Sequence, residues 1–385
     1  MQKSKLKNQK LPKGWRKVKL GEILSEKPQY GYTASAQSKR VGPRFLRVTD
    51  IAGYNIDWSS VPFCLINTKE KPKYLLQKND IVFARAGTVG FTCLFKESPS
   101  EETIFASYLI RIRVNEDKCD PKYLSYFLKS PYYWGQVHGF LSGSAQPGIN
   151  ASSLQNFELL LPDNISVQKR IAKILSAFDE KIELNNKINQ TLEQMAQAIF
   201  KEWFVKNQKL KGWEVKNVME IIKRLPVGKR YDNRTALPKG KVPILDQGQS
   251  GIIGFHNEEP SVKANTKNPV AVFSNHTCYY RLITFNFSCI QNVIPYIGTN
   301  GYPTLFVYFL TKDKIKMRDY KGHWPEFAAQ KFVIPPQELA IEFSKKIQPF
   351  IEIIDKNQKE NQTLSFLRDL LLPKLMSGEV LMNSE

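Results

Sequence analysis

The sequence predicts an α+β fold: two globular α/β blocks separated by two long helices that pack on each other as an antiparallel coiled coil. Three observations carry this. The chain has 385 residues, 42% of them hydrophobic, which at roughly 150 residues per domain is enough for more than one buried core. Short motifs recur at long offsets. Lys13-Gly14-Trp15 with Glu22-Ile23 returns as Lys211-Gly212-Trp213 with Glu220-Ile221, and Asn189-Gln190-Thr191-Leu192 returns as Asn361-Gln362-Thr363-Leu364. Such offsets are far too long for a solenoid and read as duplication of a block-plus-helix unit. The third observation is a heptad seam written twice.

That seam runs through Ile171, Leu175, Phe178, Ile182, Asn185, Asn189, Leu192, Met195 and Ile199. It repeats as Phe343, Ile347, Phe350, Ile354, Asn357, Asn361, Leu364, Leu367 and Leu371. Alternating steps of four and three residues mark helices that pack side by side. Each seam carries asparagines at the same two layers, where polar side chains set register at a cost in stability. An antiparallel arrangement would bring Asn185 to Asn361 and Asn189 to Asn357. The expected boundaries are a first block over 1–164, a central helix over 165–207, a second block over 208–336 and a C-terminal helix over 337–385.

Within the first block, Ile81 to Phe83, Leu109 to Val114 and Phe157 to Leu161 read as strands. In the second, Val270 to Phe273 and Gln330 to Ile334 do so. Tyr123 to Lys129 and Leu305 to Leu310 suggest short helices in matching places. Pro162 and Pro335-Pro336 precede the long helices, as proline favours a first turn. Pro373 is expected to close the last helix near Leu372.

Charge narrows the function. Lys and Arg number 56 against 36 Asp and Glu, a net charge of +20, which calls for an acidic partner such as nucleic acid or an anionic membrane. No stretch approaches the ~18 apolar residues of a membrane span. The basic N-terminus lacks the apolar core of a signal peptide, so a cytoplasmic protein is expected. The five cysteines form no CxxC pair, which signals neither a zinc ribbon nor a disulfide framework.

Catalytic motifs are missing. There is no GxxxxGK[ST] loop, no HExxH and no Asn- or Asp-Pro-Pro-aromatic tetrapeptide. Arg85-Ala86-Gly87-Thr88-Val89-Gly90 is glycine-rich without the full dinucleotide pattern, and a turn beside a DNA backbone explains it as well. One nuclease-like layout exists, Asp163 with Asp179 and Lys181. Its carboxylates would have to converge on one ion, whereas Asp179 and Lys181 flank the seam of a long helix. The four histidines lack metal-ligand spacing, so no metal is expected. A basic coiled-coil adaptor for RNA or membrane is a structural rival, but it leaves two unlike polar blocks unexplained.

What remains is recognition chemistry. Arginine suits guanine, Asn and Gln suit adenine, and lysine suits phosphate. In the first block the candidates for contacting DNA are Tyr32, Gln37, Arg47, Thr49, Arg85, Thr88, Ser144 and Gln146. In the second they are Lys229, Arg230, Gln247, Asn275, His276, Gln291, His323 and Trp324.

These segments together resemble the specificity subunit of type I restriction-modification enzymes, over nearly the whole chain. Gln29-Tyr30-Gly31-Tyr32-Thr33, Arg47-Val48-Thr49-Asp50-Ile51, Asp80-Ile81-Val82-Phe83-Ala84-Arg85 and Gly143-Ser144-Ala145-Gln146-Pro147 are similar to landmarks of its first-block class. Asn275-His276-Thr277-Cys278, Gln291-Asn292-Val293 and Gly322-His323-Trp324-Pro325 resemble another block type. Gln168-Lys169-Arg170-Ile171 and Leu370-Leu371-Leu372-Pro373-Lys374-Leu375 resemble its helix landmarks. The second helix departs from the pattern, with Ala340-Ile341-Glu342-Phe343 where a Gln-Arg-Ile run is usual.

The resemblance implies a non-catalytic subunit whose two target-recognition domains each read one half of a split double-stranded DNA site. The helices would space the domains and dock two modification subunits, which carry S-adenosylmethionine and methylate adenine at N6. Two restriction subunits, dependent on ATP and magnesium, would join to translocate and cleave. A specificity subunit of a fused enzyme that cuts beside its site is the alternative.

Overall fold

The computed structural model describes residues 11–51, 56–142, 148–206, 212–248, 251–319 and 321–380. The chain divides into two compact units, Met1–Lys181 with Thr363–Glu385, and Ile182–Gln362. Each unit holds one mixed block together with a stretch of both long helices.

In the first unit, the strand Trp15–Lys19 pairs antiparallel with Glu158–Pro162, so the block's last strand lies against its first. Lys19 N–H then donates to Glu22 Oε1 at 2.9 Å, capping a short turn whose Leu20 and Ile23 are buried. The second unit repeats this closure with the residues of the sequence echo. Glu214–Asn217 pairs antiparallel with Lys331–Ile334. Asn217 N–H donates to Glu220 Oε1 at 2.7 Å, while Val218 and Ile221 are buried. The recurring Glu-Ile pair is thus a cap followed by a core anchor.

Inside each closure lies an antiparallel four-stranded sheet of the same topology. In the first unit the spatial order is Gln29–Tyr30, Leu109–Ile112, Ile81–Ala84, Thr92–Leu94. In the second it is Ile222–Arg224, Val293–Gly298, Val270–Ser274, Tyr280–Ile283. A short parallel pair accompanies each sheet: Arg44–Leu46 with Thr103–Phe105, and Val242–Leu245 with Ser288–Cys289. The central strands Ile81–Ala84 and Val270–Ser274 are buried along their whole length. That explains why they read as continuous apolar runs rather than alternating ones. The helices Pro121–Phe127 and Thr304–Thr311 cover the sheets at the places the sequence suggests.

The long helices run Ile165–Phe200, continued by one π turn to Val205, and Gln337–Met376. They are antiparallel. In the second unit, Asn185 Nδ2 donates to Asn361 Oδ1 at 2.9 Å and Asn357 Nδ2 donates to Asn189 Oδ1 at 2.8 Å. Further along, Phe200 meets Phe343 edge to face at 5.6 Å. Aromatic packing of Phe200, Phe204, Phe306 and Phe343 ties this stretch to the block's helix Thr304–Thr311. In the first unit, Arg368 Nη1 donates to Asp179 Oδ1 at 2.6 Å, and Ile171 and Leu175 share a core with Leu372 and Leu375.

Two expectations about the helices are corrected. Met195 and Leu367 are exposed, at 46% and 37%, and their seam positions pass to the next residues, the buried Ala196 and the half-buried Arg368. The shift occurs at the same heptad position in both helices. An ideal helix drifts ~20° per heptad against a strict seven-residue repeat, so a straight segment moves its inward face by one residue. Pro373 does not close the last helix, which continues to Met376. The lost hydrogen bond is outweighed by Leu375 and Met376, which are 1% and 2% exposed in the first unit's core.

Two tests follow from this packing. Asn357→Ala leaves the buried Asn189 carbonyl without its donor and should cost ~1–3 kcal/mol in urea unfolding. The double variant Asn189→Leu with Asn357→Leu should cost less than the two single changes added together. Asp179 gives a pH test. Burial opposes its charge, but hydrogen bonds from Tyr126 and Arg368, with the charge of Lys129, hold its carboxyl below the ordinary value. A depressed folded value means its stabilisation is present above the unfolded carboxylate range, ~3.9, and is lost as pH falls through the folded value. Arg368→Met should therefore cost ~1–3 kcal/mol at pH 7, given the pair's partial solvent access. In thermal melts the gap from wild type should close below about pH 4.

Candidate nucleic-acid interface

In each unit three chain segments meet at one end of the four-stranded sheet, and half of the candidate residues lie on them. In the first unit these are the segment after the parallel strand (Arg47–Asp50), the hairpin turn after Ile81–Ala84 (Arg85–Gly90), and the lead-in to Leu109–Ile112 (Ala106–Tyr108). In the second they are Asp246–Gly248, Asn275–Tyr279 and Ile290–Asn292.

The same hydrogen bonds join the three segments in both units. Ala106 N–H donates to the Leu46 carbonyl at 2.8 Å, as Ile290 N–H does to Leu245 at 3.1 Å. Arg85 N–H donates to the Tyr108 carbonyl at 3.0 Å, as Asn275 N–H does to Asn292 at 2.8 Å. The Thr88 hydroxyl donates to the Val48 carbonyl at 3.4 Å, and the Thr277 hydroxyl donates to the Gln247 carbonyl. Strand pairing fixes the correspondence, because Ala84 faces Leu109 just as Ser274 faces Val293. Arg85 and Asn275 therefore occupy equivalent positions in unlike sequences.

Two glycines shape the first of these edges. A Cβ on Gly31 would lie 2.2 Å from the Ala106 carbonyl oxygen, so the Gln29–Thr33 segment passes against the lead-in only because residue 31 has no side chain. Gly90 ends the hairpin turn at φ +95°, with Val137 Cγ1 2.8 Å from where its Cβ would stand.

The individual side chains differ in how committed they are. Arg47 is held by Asp50, with Nη2 to Oδ1 at 2.8 Å and Nε to Oδ2 at 3.1 Å, and these bonds raise its affinity for protons. Thr49 beside it is exposed, and Thr88 is half-buried. Arg85 is different. Its guanidinium lies over the Tyr30 ring at 5.0 Å, and its buried Nε has no hydrogen-bond partner among the described residues. Tyr32 joins the edge through its carbonyl, which accepts Ser107 N–H at 2.9 Å, whereas Gln37 pairs with a segment outside it. Tyr32 N–H donates to Phe105 and its ring packs on Tyr74, while Gln37 exchanges backbone hydrogen bonds with Phe63. Ser144 and Gln146 lie outside the described residues.

In the second unit, Gln247 Oε1 accepts from His276 N–H at 3.0 Å, linking two candidates across the edge. Asn275 Oδ1 accepts from Trp324 N–H at 2.7 Å, which spends its carbonyl on internal structure. Gln291 is exposed at the same edge. His323 is fully buried, with Nδ1 at 3.1 Å from Glu326 and Nε2 at 3.1 Å from the Asp319 carbonyl. Lys321 and His323 together hold the Glu326 carboxyl down at about 2. Trp324 stacks on Phe327 and carries Arg224 over its ring. These two residues brace the turn from within. Lys229 pairs with Glu258 at 2.6 Å beside the Tyr231 ring, and Arg230 is exposed.

Sequence reasoning missed Tyr30, Tyr108 and Tyr279, which are 41%, 59% and 39% exposed on or beside these segments. Tyr30 stood in the quoted Gln29–Thr33 motif, but its position under Arg85 depends on pairing between Gln29–Tyr30 and Ile110–Arg111.

The nuclease-like layout is dispersed among other contacts. Asp163 pairs with Arg16 at 3.2 Å, whereas Asp179 accepts from Tyr126 and Arg368. Among the described residues no group of three His, Cys, Asp or Glu could hold a metal ion. All five cysteines are buried and free. Burial pushes the Cys93 thiol up to about 11 and the Cys289 thiol to about 12, away from reactive thiolate. No described helix is long and apolar enough to cross a membrane.

The chain is similar in sequence and in fold to known specificity subunits. Residues 12–194 match the family model for the type I restriction modification DNA specificity domain. The MjaIX specificity subunit of Methanocaldococcus jannaschii is 26% identical, covering 96% of this chain and 94% of the relative. The HindI specificity subunit of Haemophilus influenzae is 21% identical, covering 82% and 90%. The crystal structure of a type I restriction-modification S subunit from M. genitalium covers 97% of this chain and 98% of its own, with a TM-score of 0.58 at 18% identity, which shows a shared fold.

The glycine at the end of the hairpin turn offers a direct test of this edge. Gly90→Ala combines a left-handed φ with a clash against Val137 and should lower stability by ~1–3 kcal/mol in thermal unfolding.

Proposed function

We propose that this chain, whose residues 12–194 match the type I specificity-domain model and which resembles a type I specificity subunit along 96% of its length, is a non-catalytic, DNA-binding specificity subunit in which each block reads one half of a bipartite DNA site through its three-segment edge. The reading domains are bounded at 1–164 and 208–336, with spacer helices over 165–207 and 337–385. The observation that carries the reading is the repeated edge: one backbone frame, joined by the same hydrogen bonds, displaying Arg47, Thr49, Arg85 and Thr88 in one unit and Gln247, Asn275, His276 and Gln291 in the other. A common frame with different polar side chains is what two independent readers of different bases require. The net charge of +20 supplies attraction to phosphates.

The long helices act as the ruler and as the docking surface for two modification subunits, with the paired Asn185, Asn189, Asn357 and Asn361 setting their register. Leu184 and Ile188 on the central helix, and Phe366 and Leu370 on the C-terminal helix, are exposed apolar side chains that suit docking. The modification subunits would hold S-adenosylmethionine and methylate adenine at N6. Two restriction subunits using ATP and magnesium would cleave unmodified DNA in the cytoplasm.

The test exchanges residues 208–336 for another block and maps adenine methylation in cells supplying the same modification subunit. One half of the methylated sequence should change, while the other half and the spacer length stay as they were. Change in both halves would show that the blocks do not read independently. A seven-residue insertion in the central helix should alter the spacer alone.

A further inference from the structure

We infer that the first block requires a guanine in its half-site, read by Arg85, and that Tyr30 is the positioning residue that makes this reading possible. The inference rests on the functional reading above and adds a base and a residue to it.

Arg85 is the first residue of the hairpin turn. Its backbone is fixed on both sides, by N–H to the Tyr108 carbonyl at 3.0 Å and by its own carbonyl accepting Ile149 N–H at 3.0 Å. Its side chain is half-buried, yet among the described residues it makes no hydrogen bond or ion pair. The contrast is with the other buried and half-buried arginines of the block. Arg47 has Asp50, Arg111 has Glu26 and the Leu75 carbonyl, and Arg113 has Asp80. A cation partly withdrawn from water with its Nε covered and no acceptor is costly, and persists where an external acceptor completes it.

Tyr30 sets the geometry. Its ring lies under the guanidinium at 5.0 Å, and its hydroxyl accepts Ala151 N–H at 2.9 Å, which pins the ring at its far end. A planar cation lying on a fixed ring loses freedom in advance and presents its terminal N–H groups as a fork. Such a fork matches the paired acceptors N7 and O6 of guanine in the major groove. The two segments bonded to this turn carry the exposed Thr49 and Tyr108, so Arg85 belongs to the same edge as the other candidates. In the second block Asn275 takes the equivalent position and donates no such fork, so a guanine requirement set at this position belongs to the first block's half-site.

The experiment uses the full chain with its modification subunit and selects from duplexes randomised across a bipartite site. Wild type should enrich a motif with a guanine in one half. Arg85→Ala and Tyr30→Leu should each lose about five- to hundredfold of the preference for that guanine and keep the other half-site unchanged. Tyr30→Phe, which retains the ring, should keep the preference. Arg85→Lys, which keeps the charge without the planar fork, should lose it and decides the matter if Tyr30→Leu does not fold. An Arg85→Ala variant that weakens all sequences equally makes Arg85 a phosphate contact and overturns the inference, as does retention of the guanine by Arg85→Lys. Tyr30→Leu that folds and keeps the guanine removes Tyr30 from the role. If wild type enriches no bipartite motif, the functional reading itself fails, and the inference with it.

Discussion

The closure of each block, first strand against last, is the constraint on which the rest depends. Trp15–Lys19 holds Glu158–Pro162, and Glu214–Asn217 holds Lys331–Ile334. A block closed in this way returns the chain to where it entered. The next residues are then free to start a long helix whatever the block contains. The closure also buries the capped turn that follows each first strand, so entry, exit and core are secured by about ten residues per block. The side chains between them can differ, and do.

The helices answer a different constraint. Their seam must be apolar enough to associate and polar enough to associate in one register. The buried asparagine pairs meet the second demand, since each amide finds a partner only when the helices are antiparallel and in phase. Away from the asparagines the inward face drifts by one residue, and a charged contact, Arg368 with Asp179, takes a seam layer in the first unit. Tyr126 donates to the same carboxylate, so helix pairing and block core share one half-buried network.

How much of this was legible depended on sequence distance. The buried strands Ile81–Ala84 and Val270–Ser274 announced themselves as short apolar runs, and the helices as a repeated seam. Both signals are local. The convergence of Leu46 with Ala106, or of Leu245 with Ile290, joins residues tens of positions apart and leaves no trace in either segment alone. The site residues divide in the same way. Arg85 and Thr88 were readable as polar residues in a glycine-rich turn. That Arg47 is occupied by Asp50 and His323 by Glu326 follows from turn geometry, in which an acid three residues on reaches back. Pro373 misled because its local effect is real but small beside the core that Leu375 and Met376 enter.

The frame beneath the two edges is held largely by main-chain hydrogen bonds, whose donors and acceptors every residue except proline possesses. Side chains that project from it without bonding to it, as Arg85 does, can be exchanged with little effect on what keeps it folded, whereas Asn275 and Gln247 also bind neighbouring N–H groups. Arg85 and Asn275 illustrate this, occupying one backbone position with unrelated chemistry. On the proposed reading, a change at an edge position without internal side-chain bonds, such as Arg85, alters recognition and leaves the main-chain frame in place. On that reading, a lineage carrying such a scaffold acquires a new address by point changes at those positions while the frame beneath them stays folded.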